Sequence, residues 1–426
     1  MRISRLSRLL VLAFLAVLAA CQTTGDMAPP PPPPPPPMAP PPPPEPEPDM
    51  MPAPEDIEPS VSACLVDESC QAVNILFGSN RQIIFGKELE SFNRFGSTPE
   101  TPFTMLNGRR LLLGDITVTV PKKREIGTIS RPPEIAGKRL GFALDPKKHF
   151  VFVDYGYLSE EEFMATLADK DSAFIFVHGF NVSFKSAAMR AAQLKVDGEF
   201  DGQAMIYSWP TQQHSGVNAA PAYRASREEA EAARRYFRQF LDMVRQDTDS
   251  QNIHIIAHSM GNYMMMEVLA ALAEETEEEG EQFGQIIFAA PDVDRDRFIE
   301  WAEQIDGLGR GMTLYASKRD VSMDISRQLC RLQSGEACGP RAGFVPEDGP
   351  ITLTNATLDT LDVSNLPDRS FTPLDEHDYY GGDLYILKDI GKLIRTGLRA
   401  PREDFWEEEG GGPNGRWWRV PEIFRQ

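Results

Sequence analysis

Residues 253–262 constrain this chain more than any other stretch. Ile253-His254-Ile255-Ile256-Ala257 has the apolar composition of a buried strand, and it runs through His258-Ser259-Met260-Gly261 directly into Tyr263–Ala273, which reads as a helix. A strand that becomes a helix within so few residues leaves room only for small side chains two positions either side of the serine. Those positions are Ala257 and Gly261. Such a turn lifts the Ser259 hydroxyl above the strand end. It also aims the Met260 amide, at the positive end of the following helix, toward any developing oxyanion. A serine acting only as a helix N-cap needs neither a small residue 257 nor a glycine at 261, so Ser259 is the candidate nucleophile.

A serine hydroxyl needs a base, and the chain holds six histidines. His149 lies far upstream of the turn, His214 in a polar loop before the serine, His254 inside the strand and His258 inside the turn itself. His178 belongs to a separate motif. His377 remains, in Asp375-Glu376-His377-Asp378-Tyr379-Tyr380, just before a helical segment near 382–395. Asp320, in Ser317-Lys318-Arg319-Asp320 after the apolar run Met312–Ala316, is the favoured acid. Asp292, in Ala290-Pro291-Asp292-Val293-Asp294 after the preceding run, is the alternative. The stretch Val177-His178-Gly179-Phe180-Asn181 follows another buried apolar run, and Gly179 permits close backbone approach, so the Phe180 amide is the second candidate oxyanion donor.

The surroundings of these motifs fix the expected fold class. Apolar runs at 173–177, 204–209, 253–257, 285–290 and 312–316 alternate with helical segments at 183–195, 223–246 and 263–273. That alternation predicts an α/β fold, a mostly parallel central sheet with helices on both faces. Earlier runs at 73–77, 111–120 and 150–153 read as strands. The expected organisation is 1–20 leader, 21–60 proline-rich linker and 61–397 catalytic domain, with N-terminal strands over 61–160 and a core over 165–397. Residues 398–426 form an acidic then aromatic tail, for which packing on the domain and lying on a membrane or partner are both open.

Seven ordered motifs also resemble a known family. They are Phe77-Gly78-Ser79-Asn80-Arg81, Leu113-Gly114-Asp115 through Val120-Pro121, Val177–Asn181, Tyr207-Ser208-Trp209-Pro210, Ala257–Asn262, Ala290–Asp294, and Tyr315-Ala316-Ser317-Lys318-Arg319-Asp320. Together they resemble the bacterial α/β-hydrolases catalogued as domain of unknown function nine hundred. The resemblance implies an α/β-hydrolase fold and esterase- or lipase-like serine chemistry, and it implies no substrate. Two local features depart from the family pattern. Tyr223-Arg224-Ala225-Ser226 lacks the usual Asp after the tyrosine, and Glu376-His377-Asp378 replaces a Gly-His-Ser. Acids beside His377 favour its charged form.

Arg2, Arg5 and Arg8 precede an apolar run, Leu9–Leu18, too short for the ~20 residues of a spanning helix. The run ends in Leu18-Ala19-Ala20-Cys21, which resembles a bacterial lipobox. The resemblance implies cleavage before Cys21, lipidation of that cysteine (palmitate among its acyl chains) and, with Gln22 following, anchoring at the outer membrane facing the periplasm. The proline run at 29–48 is a semi-rigid polyproline spacer. In an exported chain the four remaining cysteines favour disulfides. Proximity suggests Cys64–Cys70 and Cys330–Cys338 among three connectivities, and the spacings are not those of a zinc site.

Two functions fit these observations. One is a membrane-anchored hydrolase that cleaves ester or other acyl bonds through an acyl-enzyme. The other is a non-catalytic envelope binding or assembly module on the same scaffold. The full set of nucleophile, base, acid and two amides favours the first. A net charge of −20 without a basic cluster argues against nucleic acid. No metal, phosphate or nucleotide motif points to a cofactor.

Overall fold

The computed structural model describes residues 58–83, 103–104, 111–131, 134–135, 138–139, 145–211, 219–246, 252–275, 280–334, 338–354, 356–367, 375–404, 406–412 and 415–422. The leader, Cys21, the proline run and His214 lie outside the described residues. Eleven strands make one sheet: β1 (Cys70–Ser79), β2 (Leu112–Pro121), β3 (Val151–Tyr157), β4 (Ala173–Val177), β5 (Gln203–Ser208), β6 (Ile253–His258), β7 (Phe283–Ala289), β8 (Gly309–Ala316), β9 (Leu358–Asp362), β10 (Glu407–Gly412) and β11 (Gly415–Arg419). Their spatial order is β10-β11-β9-β8-β7-β6-β4-β5-β1-β2-β3.

The seven pairings from β11 through β9, β8, β7, β6, β4 and β5 to β1 are parallel. Antiparallel pairs close both ends, β1–β2 and β2–β3 at one and β10–β11 at the other. The sheet is therefore mostly parallel, as the alternation of runs predicts. Its central strands are buried on both faces, which explains why they read as continuous apolar runs rather than alternating ones.

The longer helices among the described residues are α1 (Glu58–Val66), α2 (Glu160–Ala168), α3 (Phe184–Asp197), α4 (Ala219–Gln246), α5 (Met260–Glu275), α6 (Arg295–Gln304), α7 (Val321–Ser334) and α8 (Leu384–Thr396). Along β6 the side chains part by strand geometry. Ile255 and Ala257 join the core formed with Phe237 and Phe240 of α4, Met264 and Leu269 of α5 and Phe298 of α6. Ile256 joins the opposite core with Ala188 of α3 and Ile386 and Ile390 of α8. At ~25 cal/mol per Å² of apolar surface, these two layers are the main stabilising contribution.

Two disulfides form, Cys64–Cys70 with Cα atoms 5.4 Å apart and Cys330–Cys338 at 6.1 Å. The first ties α1 to the start of β1, and the second ties the end of α7 to the segment carrying Arg341.

The sheet continues past residue 397. Residues 407–412 and 415–419 supply its last two strands, with β11 parallel to β9 through Leu361↔Trp418. A buried polar cluster holds the connecting segment: Arg402 Nη2 donates to Asp389 Oδ2 at 2.7 Å, and Trp406 Nε1 donates to Asp389 Oδ1 at 3.0 Å. Arg402 also pairs with Asp359 at 3.5 Å. The aromatic tail thus packs, and Trp418 is part of the core.

Candidate active site

The site lies at the C-terminal ends of the parallel strands, where ligands of open α/β sheets bind. Ser259 sits between the last residue of β6 and the first of α5 at φ +52°, a left-handed conformation rare for a residue with a Cβ. Neighbouring backbone enforces this strain. The Ser259 amide donates to Ala289 O at 3.0 Å, and its carbonyl accepts from the Asp292 amide at 3.2 Å. Asn262 Nδ2 staples the turn by donating to Ala257 O, Ser259 O and Ala289 O at 3.0, 3.2 and 3.2 Å. A Cβ on Gly261 would stand 2.6 Å from His178 O, so the turn and the 178–182 loop pack too closely for any larger residue. On the other side of that contact, a Cβ on Gly179 would stand 2.7 Å from Ser259 Cβ.

His377 lies in a short 3-10 turn, Asp375–Asp378, ahead of α8, and its Nδ1 meets Asp320 Oδ2 at 2.7 Å. Asp320 immediately precedes α7 and is 1% exposed. Burial works against the charged imidazolium of His377. The charge and hydrogen bond of Asp320 and the nearby charges of Asp378 and Asp292 outweigh it, leaving the pKa above 6.5. His258 flanks this histidine. Its ring centroid is 4.5 Å from that of His377 and 4.4 Å from that of Tyr380, and its Nε2 donates to the His377 carbonyl at 3.2 Å. Burial, then the charge of His377, pushes His258 down to about 3, so it is a neutral donor. Arg190 of α3 pairs with Asp378 at 2.8 Å and lies over the Tyr380 ring, fixing the other side of the turn.

Asp292, the alternative acid, is held elsewhere. Its carboxylate accepts from Tyr223 Oη at 2.7 Å and from Ser326 Oγ, and it pairs with Arg341 at 3.2 Å. Of the two candidate acids, the one hydrogen-bonded to His377 is Asp320. Met260 opens α5, where first-turn amides have no acceptor within the helix. Phe180 follows Gly179, and its ring packs edge-on against Tyr223, 5.5 Å between centroids. His254 faces its own strand neighbours, accepting from the Gln285 amide at 2.9 Å. Among the described residues, no group of three or more His, Cys, Asp or Glu is placed to hold a metal ion.

Three contributors escape a reading of the sequence by motif alone. Asn262 lies in the serine motif, but only the turn reveals its three carbonyl contacts. His258 is legible as a neighbour of Ser259 but not as a donor to His377. Arg190 sits on an Ala-rich helix with no local mark of its role.

A mostly parallel sheet covered on both faces, with a strained serine between a central strand and its helix, defines an α/β hydrolase. Residues 158–373, just over half of the chain, match the family described as Alpha/beta hydrolase of unknown function (DUF900), and the chain belongs to that family. No curated protein sequence matches it. Among solved structures it is similar to an esterase of Pyrobaculum calidifontis in a monoclinic form, with TM-score 0.32 and 9% identity over 80% of this chain and 92% of that one. It is also similar to an esterase of Rhizomucor miehei, with TM-score 0.33 and 11% identity over 80% and 88%. An esterase/lipase from an uncultured bacterium follows at TM-score 0.28 and 14% identity over 53% and 76%.

Proposed function

We propose that the protein is a serine hydrolase that cleaves ester or other acyl bonds through an acyl-enzyme. Ser259 is the nucleophile, His377 the base, Asp320 the acid that orients it, and the Phe180 and Met260 amides the oxyanion donors. The observation that carries this reading is the pairing of His377 Nδ1 with Asp320 Oδ2 at 2.7 Å, at the same strand ends that present Ser259 at φ +52°. A carboxylate on Nδ1 fixes the tautomer that leaves Nε2 able to accept the serine proton. Attack by Ser259 Oγ on the acyl carbon passes that proton to His377, which returns it to the leaving group. Water then attacks the acyl-serine with His377 again as base. The oxyanion of each tetrahedral intermediate takes the two amides.

The expected test is covalent labelling of the purified full-length chain by a fluorophosphonate probe. Labelling should be absent in Ser259→Ala. A folded wild-type protein that stays unlabelled would refute the reading.

The proposal extends to location. Cys21 carries a lipid that anchors the protein at the outer membrane facing the periplasm, with the proline run as a spacer to the domain. It is supported by the lipobox-like Leu18-Ala19-Ala20-Cys21. Cys21→Ser should release the protein from sedimented membranes, and retention there would reject the anchor.

A further inference from the structure

Arg81 is buried at 2% exposure, and among the described residues no carboxylate pairs with it. Burying a guanidinium without an anion is costly, so its neutral partners matter. Its Nε donates to Ser208 Oγ at 2.8 Å. Its Nη2 donates to Val182 O at 2.9 Å and meets His178 Nε2 at 3.1 Å. A guanidinium has no lone pair to offer. His178 Nε2 must therefore be the acceptor, and the ring proton sits on Nδ1, which donates to Gly179 O at 2.9 Å. Burial, then the charge of Arg81, holds His178 well below 6.5, so this neutral tautomer persists.

The Gly179 carbonyl belongs to the peptide whose N–H is that of Phe180. In a trans peptide the two point in opposite directions. Drawing the carbonyl toward His178 therefore points the Phe180 N–H the opposite way, across the C–N bond. The same loop is pinned at three further points. Trp209 Nε1 donates to His178 O at 2.8 Å, the Asn181 amide donates to Thr211 Oγ1 at 3.0 Å, and Arg81 itself holds Val182 O.

We propose that Arg81 and His178 are positioning residues for the oxyanion site: Arg81 fixes the His178 tautomer, and His178 Nδ1–H fixes the Gly179–Phe180 peptide with its amide turned to the reacting acyl oxygen. This rests on the reading of Phe180 as an oxyanion donor. It gives a positioning task to a residue at the end of β1, outside the 158–373 match. A lysine cannot substitute, because one ammonium lacks the planar fork that reaches His178, Val182 and Ser208 together.

The test has two readouts on the full-length chain. The first is the ¹⁵N shift pair of His178, recognised by its loss in His178→Asn. A pyrrole-type Nδ1 and pyridine-type Nε2 are expected. A proton on Nε2 would overturn the proposal, and this measurement needs no variant to be active. The second is the rate of fluorophosphonate labelling at Ser259. Arg81→Met and His178→Phe should each slow it by about 10²-fold, the scale of losing one oxyanion donor, while His178→Asn, which keeps a donor at the Nδ1 position, stays within about tenfold of wild type. Wild-type labelling rates in a folded Arg81→Met would sink the relay alone. A wild-type protein that never labels would overturn the hydrolase reading and the role of Phe180 with it, whatever the tautomer.

Discussion

The His258 ring leans on that of His377, with centroids 4.5 Å apart, and its Nε2–H holds the carbonyl of the same residue at 3.2 Å. One neutral imidazole thus fixes both the ring and the backbone of the proposed base. His258→Phe keeps the ring and deletes the donor, whereas His258→Gln keeps a donor near Nε2. Measured as Ser259 labelling, His258→Phe should lose about ten- to a hundredfold, the scale of misplacing a catalytic group by ~1 Å, and His258→Gln distinctly less. A larger loss in His258→Gln than in His258→Phe would argue that ring packing, and not the hydrogen bond, holds the base.

The acid-side limb of the pH–rate profile should have its midpoint above 6.5. A base works when unprotonated, and the His377 pKa is raised against burial by Asp320, Asp378 and Asp292. In Asp320→Asn the largest raising influence disappears while burial stays. The midpoint should then move down and the plateau should fall by roughly 10²–10⁴-fold. An unmoved midpoint would show that another group titrates.

Asp292 and Asp320 should fail in different ways. Asp292→Asn removes the buried anion facing Arg341 (3.2 Å, with side chains 2% and 3% exposed), so about 3–5 kcal/mol of stability should go. The surviving folded fraction should still label. Asp320→Asn should lose labelling with a smaller fall in melting temperature. The reverse pattern would make Asp292 the acid.

Acid should unfold the domain below the ordinary histidine range. His258 and His254 are pushed down to about 3 and about 4, chiefly by burial. The unfolded chain takes up protons that the folded chain refuses, so their contribution is whole above about 6.5 and is lost as pH falls toward the folded values. Each tenfold loss of proton affinity on folding corresponds to about 1.4 kcal/mol. Melting temperature should therefore drop steeply from pH 6.5 to 4, and His258→Gln should flatten the slope.

What the sequence revealed tracks how locally each feature is encoded. The run Ala173–Val177 is strand β4 residue for residue, because a strand buried on both faces must be apolar throughout. The turn around Ser259 was legible because its small flanking residues are required by contacts within a few positions. Strands β10 and β11 were not legible: Glu407–Gly412 has a composition that disfavours strands, and it is held by pairing with β11. Helices α6 and α7 were equally silent. The choice between Asp320 and Asp292 needed three dimensions, since both follow a central strand and only side-chain direction separates them.

The cluster of Arg399 and Arg402 with Asp359 and Asp389 also makes the domain depend on residues close to its C-terminal end. Asp359 and Asp389 are both 2% exposed or less, and the arginines that pair with them lie downstream at 399 and 402. A chain cut before residue 399 would have to bury two carboxylates without the arginines that pair with them, Arg399 with Asp359 and Arg402 with Asp389. Strand β9 would also lack its β11 neighbour along one edge. Truncation ahead of residue 399 is therefore expected to destabilise the whole domain rather than merely shorten it.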